Sequence, residues 1–260
     1  MHYPPANQQQ IEQYQRDGFI IVENVVSEAD MERLREVARS LIEKRNEVAN
    51  DWDWRKGEDK KARTFRIVQC AVGHNFPWVK ESRLRTWAAE FSTALMGQEM
   101  LFWYDQFLGK PPGLGAPTPW HQDEAYWGRG LFDRGITCWM SFHDVDTRNG
   151  CMHFVPGGHR MGVIEHFNPP EMASDLLVCA LPPGVEGFAY PLKADSVTFH
   201  HSKMPHMTTG NTSDAWRQTM AQHFSAPGCQ GEREAYPWRV HVDQKTGQRT
   251  RAVTKEIEVV

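Results

Sequence analysis

Residues 120–127 read Trp120-His121-Gln122-Asp123-Glu124-Ala125-Tyr126-Trp127, and the His-x-Asp inside them decides how the rest of the chain is to be folded. In an extended strand successive side chains alternate between faces, so His121 and Asp123 are expected to point one way and Gln122 the other. One imidazole and one carboxylate then converge on a single point. A second histidine brought to that point would complete the two-histidine, one-carboxylate set that occupies one face of an octahedron around non-haem Fe(II) and leaves the opposite face open. Downstream, His143, His153, His159, His166, His200, His201, His206, His223 and His241 compete for the place.

Spacing favours His206. It opens residues 206–217, which read as a strand end, a Gly210-Asn211 turn and a new strand starting at Arg217. A hairpin there would set Arg217 alongside His206. An arginine fork is always charged and binds a carboxylate through two parallel hydrogen bonds, so it suits a dicarboxylate that also reaches the metal. Open metal positions and a carboxylate clamp together point to 2-oxoglutarate. His200 and His201 have no arginine at the hairpin distance and are read as structural or supporting groups. A second His-x-Asp, His241-Val242-Asp243, has no histidine beyond it and reads as an exposed C-terminal strand.

The chain has 260 residues, a formal net charge of −4, and basic residues that are not gathered into a run, which argues against a nucleic-acid partner. Its first residues carry no apolar leader, and no stretch approaches the ~20 apolar residues of a membrane span. The expectation is a soluble, cytoplasmic protein with a small-molecule substrate and no membrane partner; oligomeric state is not legible. The five cysteines, Cys70, Cys138, Cys151, Cys179 and Cys229, form no C-x-x-C pair and read as reduced, buried small hydrophobes. Asn211-Thr212-Ser213 reads as turn chemistry, not as a glycosylation site.

Residues 8–26 suggest a short polar helix, a break at Gly18 and a strand at residues 19–22. Ser27, with Asp30 three places on, starts a strong helix whose Met31, Leu34, Val37, Leu41 and Ile42 recur at helical spacing. Residues 51–63 are charged, contain Trp52 and Trp54, and read as a loop folded over a site. From Met100 the pattern turns to strands, at residues 101–108, 120–126, 135–145, 151–155, 196–199 and 217–224, with turns at Asn149-Gly150 and Pro156-Gly157-Gly158. Residues 164–191 hold five prolines and read as an insertion or lid. Short strands after helices suggest a mainly β protein with flanking α-helices and a double-stranded β-helix, that is, a jelly-roll, cupin-like core.

Three blocks then carry a resemblance. W-H-Q-D-x-x-Y-W at residues 120–127, N-G-C-x-x-x-V-P-G-x-H-R at residues 149–160, and His206 followed by Asn211, Ser213 and Arg217 resemble the phytanoyl-CoA dioxygenase family of Fe(II)/2-oxoglutarate oxygenases, as does Tyr14-Gln15-Arg16-Asp17-Gly18-Phe19. The match runs from about residue 14 to residue 224 and implies one oxygenase domain over residues 1–260, with lid segments at 51–63 and 164–192 and a C-terminal extension at 225–260. It implies His121, Asp123 and His206 as ligands of Fe(II), with 2-oxoglutarate and O2 as cosubstrates. It implies Arg217 as the 2-oxoglutarate clamp, Thr208 and Thr118 as hydroxyls near its carboxylate, Trp139 as a pocket wall and Gln106 as a polar group facing the centre. Two features depart from the pattern: Ala194-Asp195 stands where relatives carry Gly-Asp, and the distal histidine is preceded by the extra pair His200-His201.

The implied reaction couples decarboxylation of 2-oxoglutarate to oxidation of an unactivated C–H bond, with hydroxylation as the default and oxidative cyclisation (ring or orthoester formation) or desaturation as alternatives. Asp123 argues against halogenation, because related halogenases replace this carboxylate with a small residue. Trp52, Trp54, Trp103, Tyr104, Tyr126, Trp127 and Phe132, with Arg129 and Arg134, suggest a pocket for a mid-sized metabolite, as in secondary metabolism. The rival from another class is a non-catalytic cupin-like metal binder, against which Arg217 argues: a structural metal needs no dicarboxylate clamp.

Overall fold

The computed structural model describes residues 2–43, 51–52, 67–70, 72–113, 117–127, 134–169, 177–227, 229, 240–242 and 249–251; of 51–52, 67–70, 74–75, 127, 240–242 and 249–251 it describes the backbone alone. In chain order the elements are α1 (Gln8–Asp17), β1 (Phe19–Val22), α2 (Glu28–Glu43), β2 (Asp51–Trp52), β3 (Ile67–Cys70), α3 (Val72–Asn75), α4 (Pro77–Glu81), α5 (Arg83–Met96), β4 (Leu101–Lys110), β5 (Thr118–His121), α6 (Asp123–Trp127), β6 (Gly135–Ser141), β7 (Met152–Phe154), β8 (His166–Phe167), β9 (Val178–Cys179), β10 (Phe188–Tyr190), β11 (Val197–His201), β12 (His206–Thr208), β13 (Arg217–Ser225), β14 (Val240–Val242) and β15 (Arg249–Arg251). The seven-stranded major sheet has the order β1-β11-β6-β13-β4-β3-β2 and the four-stranded minor sheet the order β10-β7-β12-β5. All pairings are antiparallel, as a jelly roll requires.

Local chemistry sets the helix ends. Asn7 and Gln10 exchange both bonds of a capping box at the start of α1. The helix stops at Gly18, whose φ of 77° is the left-handed conformation that glycine adopts without strain. The Ser27 hydroxyl accepts the Asp30 N–H at the start of α2, whose stripe of Met31, Leu34, Val37, Ala38 and Leu41 is buried. On the outer face of the major sheet the Phe91 ring of α5 stacks on Phe199 at 4.8 Å and Trp87 meets the same ring edge-on.

The inner face is ordered by register. Phe19, His200, Thr137, His223 and Tyr104 stand side by side on β1, β11, β6, β13 and β4. The next row holds Ile21, Thr198, Trp139, Ala221 and Gln106, and farther along, Arg217 faces Lys110. Facing these rows, β12 sets His206 directly opposite His121 on β5 and Phe154 on β7.

Three expectations are corrected. Residues 120–126 are not one strand: β5 ends at His121 and α6 begins at Asp123. Continuing the β5–β12 register would set Gln122 against Pro205, which has no N–H to donate. The Gln122 N–H goes instead to His166 Nε2 at 3.0 Å and the Glu124 N–H to Ser202 O at 3.0 Å, which turns the chain out of the sheet. Residues 206–217 are not a hairpin, since β12 and β13 lie in different sheets. The crossover is held by Asn211, whose amide donates to the carbonyls of Lys110, Pro111 and Ala215. Within residues 164–192, β10 is an edge strand of the minor sheet, so that part belongs to the sandwich and not to an insertion. Residues 53–63 lie outside the described residues, while 51–52 form a strand.

Gln122, fully buried, staples the turn. Its amide donates to Gly162 O at 2.7 Å and Lys203 O at 2.6 Å and accepts from Ile164 N–H at 2.7 Å. A leucine of similar size would orphan all three partners, and each buried group left without a bond costs about 1–3 kcal/mol. Gln122→Leu is therefore expected to lower the unfolding free energy by at least ~2 kcal/mol in urea titration and to speed amide exchange at Ile164. An unchanged midpoint and unchanged exchange would refute the stapling role.

Candidate metal centre and cosubstrate pocket

His121 ends a strand and Asp123 starts a helix, yet their side chains still converge across the turn at Gln122. His121 Nδ1 lies 2.9 Å from Pro119 O and His206 Nδ1 lies 2.8 Å from Met204 O. Carbonyl oxygens only accept, so each Nδ1 carries the proton and each Nε2 carries the lone pair. Asp123 Oδ1 stands 3.9 Å from His121 Nε2 and 3.6 Å from His206 Nε2. One donor atom from each of the three residues falls within 4.8 Å of the others. Two neutral imidazoles and one carboxylate oxygen are a donor set that fits a divalent iron.

The electrostatics favour those ligand forms. Burial holds His206 well below the usual histidine range. The second oxygen of Asp123, Oδ2, accepts the Thr137 hydroxyl at 2.6 Å and lies 3.4 Å from His200 Nε2.

On the same inner face stands a cation pocket. Arg217 is 2% exposed; it donates to Leu108 O at 3.2 Å, to Thr219 Oγ1 at 2.7 Å and to Thr208 Oγ1 at 3.2 Å. Its Nε is buried with no protein partner, and among the described residues no carboxylate pairs with it. Burial pushes its pKa down to about 9. Lys110, 1% exposed, donates to Thr208 Oγ1 at 2.7 Å and Thr209 O at 2.6 Å. Gly150, at φ 91°, makes room: a Cβ there would stand 2.9 Å from Thr209 O and 3.3 Å from Arg217 Nε.

Among the other expected site residues, Trp139 lies under Arg217, with the guanidinium carbon 5.8 Å from its ring centre. Thr118 pairs with Thr208 across β5 and β12. Gln106 Oε1 lies 3.3 Å from His223 Nε2, one row from the triad. Tyr104 stacks on His223 at 4.2 Å. Tyr126 stands edge-on to His121 and bonds the Leu177 backbone in both directions. Trp103 falls at the register shift between β4 and β13 and stands edge-on to Tyr104, 5.3 Å between ring centres, and Arg134 is exposed. Trp54, Arg129 and Phe132, with the side chains of Trp52 and Trp127, lie outside the described residues. His201 is turned from the triad toward His159, 5.5 Å between ring centres.

Lys110 and Thr137 are contributors that the sequence reading leaves out, and His223 enters it only as a competitor for the third metal position. Each is within reach of strand parity: Lys110 from Gln106, Thr137 from Trp139 and His223 from Arg217. His200, expected as a structural or supporting group, stands 3.4 Å from Asp123 Oδ2, in a place set by sheet register.

The family model described as Phytanoyl-CoA dioxygenase (PhyH) matches residues 14–219. Bovine (Bos taurus) peroxisomal phytanoyl-CoA dioxygenase is 22% identical over 237 residues, covering 83% of this chain and 67% of that protein. Among solved structures, EvdO2 from Micromonospora carbonacea var. aurantiaca superposes with a TM-score of 0.72 at 25% identity, over 86% of this chain and 92% of that one. The α-ketoglutarate-dependent carbocyclase SnoK from nogalamycin biosynthesis superposes with a TM-score of 0.71 at 24% identity, over 87% and 86%. The chain belongs to the phytanoyl-CoA dioxygenase family and is an iron- and 2-oxoglutarate-dependent oxygenase.

Proposed function

We propose that the protein oxidises an unactivated C–H bond of a mid-sized metabolite in natural-product metabolism, by hydroxylation, with Fe(II) held by His121, Asp123 and His206. The observation that carries this is the pairing of the triad with a buried arginine, Arg217, that meets no carboxylate among the described residues. When bound, iron and 2-oxoglutarate would let O2 act as the oxidant: one of its oxygen atoms goes to succinate as 2-oxoglutarate loses CO2, and the other is delivered to the C–H bond. The chain's part is to hold and to exclude. His121 and His206 present lone pairs that their Nδ1–H bonds have oriented. Arg217, Lys110 and Thr208 form a cationic, hydrogen-bonding end for the far carboxylate of 2-oxoglutarate, with Trp139, Thr118 and Gln106 as walls. A cupin-like binder of a structural metal gains nothing from such an end.

Ring closure is the second reading, favoured by the likeness to SnoK, whose name is that of a carbocyclase.

Three results are expected. Wild type given Fe(II) and 2-oxoglutarate without O2 develops the weak visible charge-transfer band of the chelate; His206→Ala abolishes it and His201→Ala keeps it. Arg217→Ala weakens 2-oxoglutarate binding about thirtyfold or more, the equivalent of the ~2 kcal/mol or more lost when one partner of a buried charge pair is removed. No band in wild type, or full affinity in Arg217→Ala, would sink the oxygenase site as drawn. Gly150→Ala, which crowds Arg217 Nε, is expected to raise the 2-oxoglutarate dissociation constant about tenfold, or ~1.4 kcal/mol, with the metal constant unchanged. A screen of metabolites for stimulated succinate release identifies the substrate.

A further inference from the structure

We infer that Thr137 is a positioning residue that divides the Asp123 carboxylate between the two sheets and so keeps it a one-oxygen ligand. The inference rests on Asp123 being the metal carboxylate. Oδ1 faces the two minor-sheet imidazoles, at 3.9 Å from His121 Nε2 and 3.6 Å from His206 Nε2. Oδ2 faces the major sheet, where the row His200, Thr137, His223 stands on three adjacent strands. All three are nearly inaccessible, at 1%, 1% and 3%.

Within that row the hydroxyl is the group that bonds. Thr137 Oγ1 donates to Oδ2 at 2.6 Å, the length of a charge-assisted O–H···O⁻ bond. His223 Nδ1 lies 2.9 Å from the same hydroxyl. The Thr137 hydrogen is committed to the carboxylate, which can only accept, so the hydroxyl oxygen takes the His223 Nδ1–H, and the Gln106 side-chain amide, 3.3 Å from Nε2, must then turn its NH2 to that nitrogen's lone pair. That second bond fixes the hydroxyl rotor toward Asp123. His200 Nε2, 3.4 Å from Oδ2, makes a longer contact to that oxygen than the Thr137 hydroxyl does. Its ring, 4.5 Å from His206 and 5.4 Å from Phe154, serves as a wall that keeps water from Oδ2.

The consequence is a count of positions. A carboxylate that turned both oxygens to the metal would take one of the places that 2-oxoglutarate and O2 need. Thr137 removes Oδ2 from that competition with a bond the carboxylate cannot replace by water in so dry a place.

The test uses Co(II) alone as a spectroscopic stand-in, whose visible bands report coordination number, on full-length wild type, Thr137→Val, Thr137→Ser, Thr198→Val and Asp123→Ala. Removing a partner that orients a metal ligand weakens metal binding by about ten- to a hundredfold. That loss, with an altered band intensity, is expected for Thr137→Val, and Thr137→Ser is expected to restore both. Thr198→Val, a buried hydroxyl on the neighbouring strand that does not bond Asp123, is expected to match wild type. A Thr137→Val protein that binds and absorbs like wild type, or a Thr137→Ser protein as weak as Thr137→Val, overturns the inference. Full Co(II) affinity in Asp123→Ala overturns the triad itself, a separate failure.

Discussion

An ionised carboxylate in a closed protein interior needs opposite charge or hydrogen bonds, and Asp123 meets that need with the Thr137 hydroxyl on Oδ2 and would meet it with a bound divalent metal on Oδ1. Oδ1 looks to β5 and β12, Oδ2 to β6, β11 and β13. The distance between the sheets is therefore tied to the reach of one side chain. Much else in the sandwich can be understood as holding that span. Gln122 fixes where the carboxylate leaves the chain, and Pro205 ends the ladder at His206 so that the turn has somewhere to go.

The backbone sets the ligand form of both histidines. His121 Nδ1–H is taken by Pro119 O and His206 Nδ1–H by Met204 O, each two residues upstream, so each Nε2 presents its lone pair before any metal arrives.

Sequence legibility followed the range of each interaction. The α1 cap at Asn7, the stop at Gly18 and the α2 stripe were readable because helices are decided by neighbours within four residues. His121, Asp123, His206 and Arg217 were readable from spacing and resemblance, but the routes that join them were not. The strand at residues 120–126 reads well by alternation, and fails because its partner runs into Pro205, eighty-odd residues away. The hairpin to Arg217 reads well from Gly210-Asn211, and fails because Asn211 is bonded to β4 carbonyls that no local pattern announces. Lys110 was passed over because a lysine at a strand end ordinarily faces water; here the parity set by Gln106 carries it inward.

The pocket around Arg217 shows how a cavity for an anion can be kept without an anion. A buried guanidinium raises the energy of the protein unless its N–H groups are bonded, and Arg217 has most of its donors bonded, to Leu108 O, Thr208 Oγ1 and Thr219 Oγ1. These are neutral acceptors: they satisfy hydrogen bonds but do not neutralise charge, which is why burial drives its pKa down to about 9. A carboxylate side chain in the place of Thr208 or Thr219 would stabilise the fold more and occupy the clamp permanently. The hydroxyls leave the pocket ordered and still electrostatically unsatisfied. Under the function proposed above, the stability withheld at this point would return as affinity when a dicarboxylate enters, and Gly150, with no Cβ to press on Nε, leaves the guanidinium room to meet it.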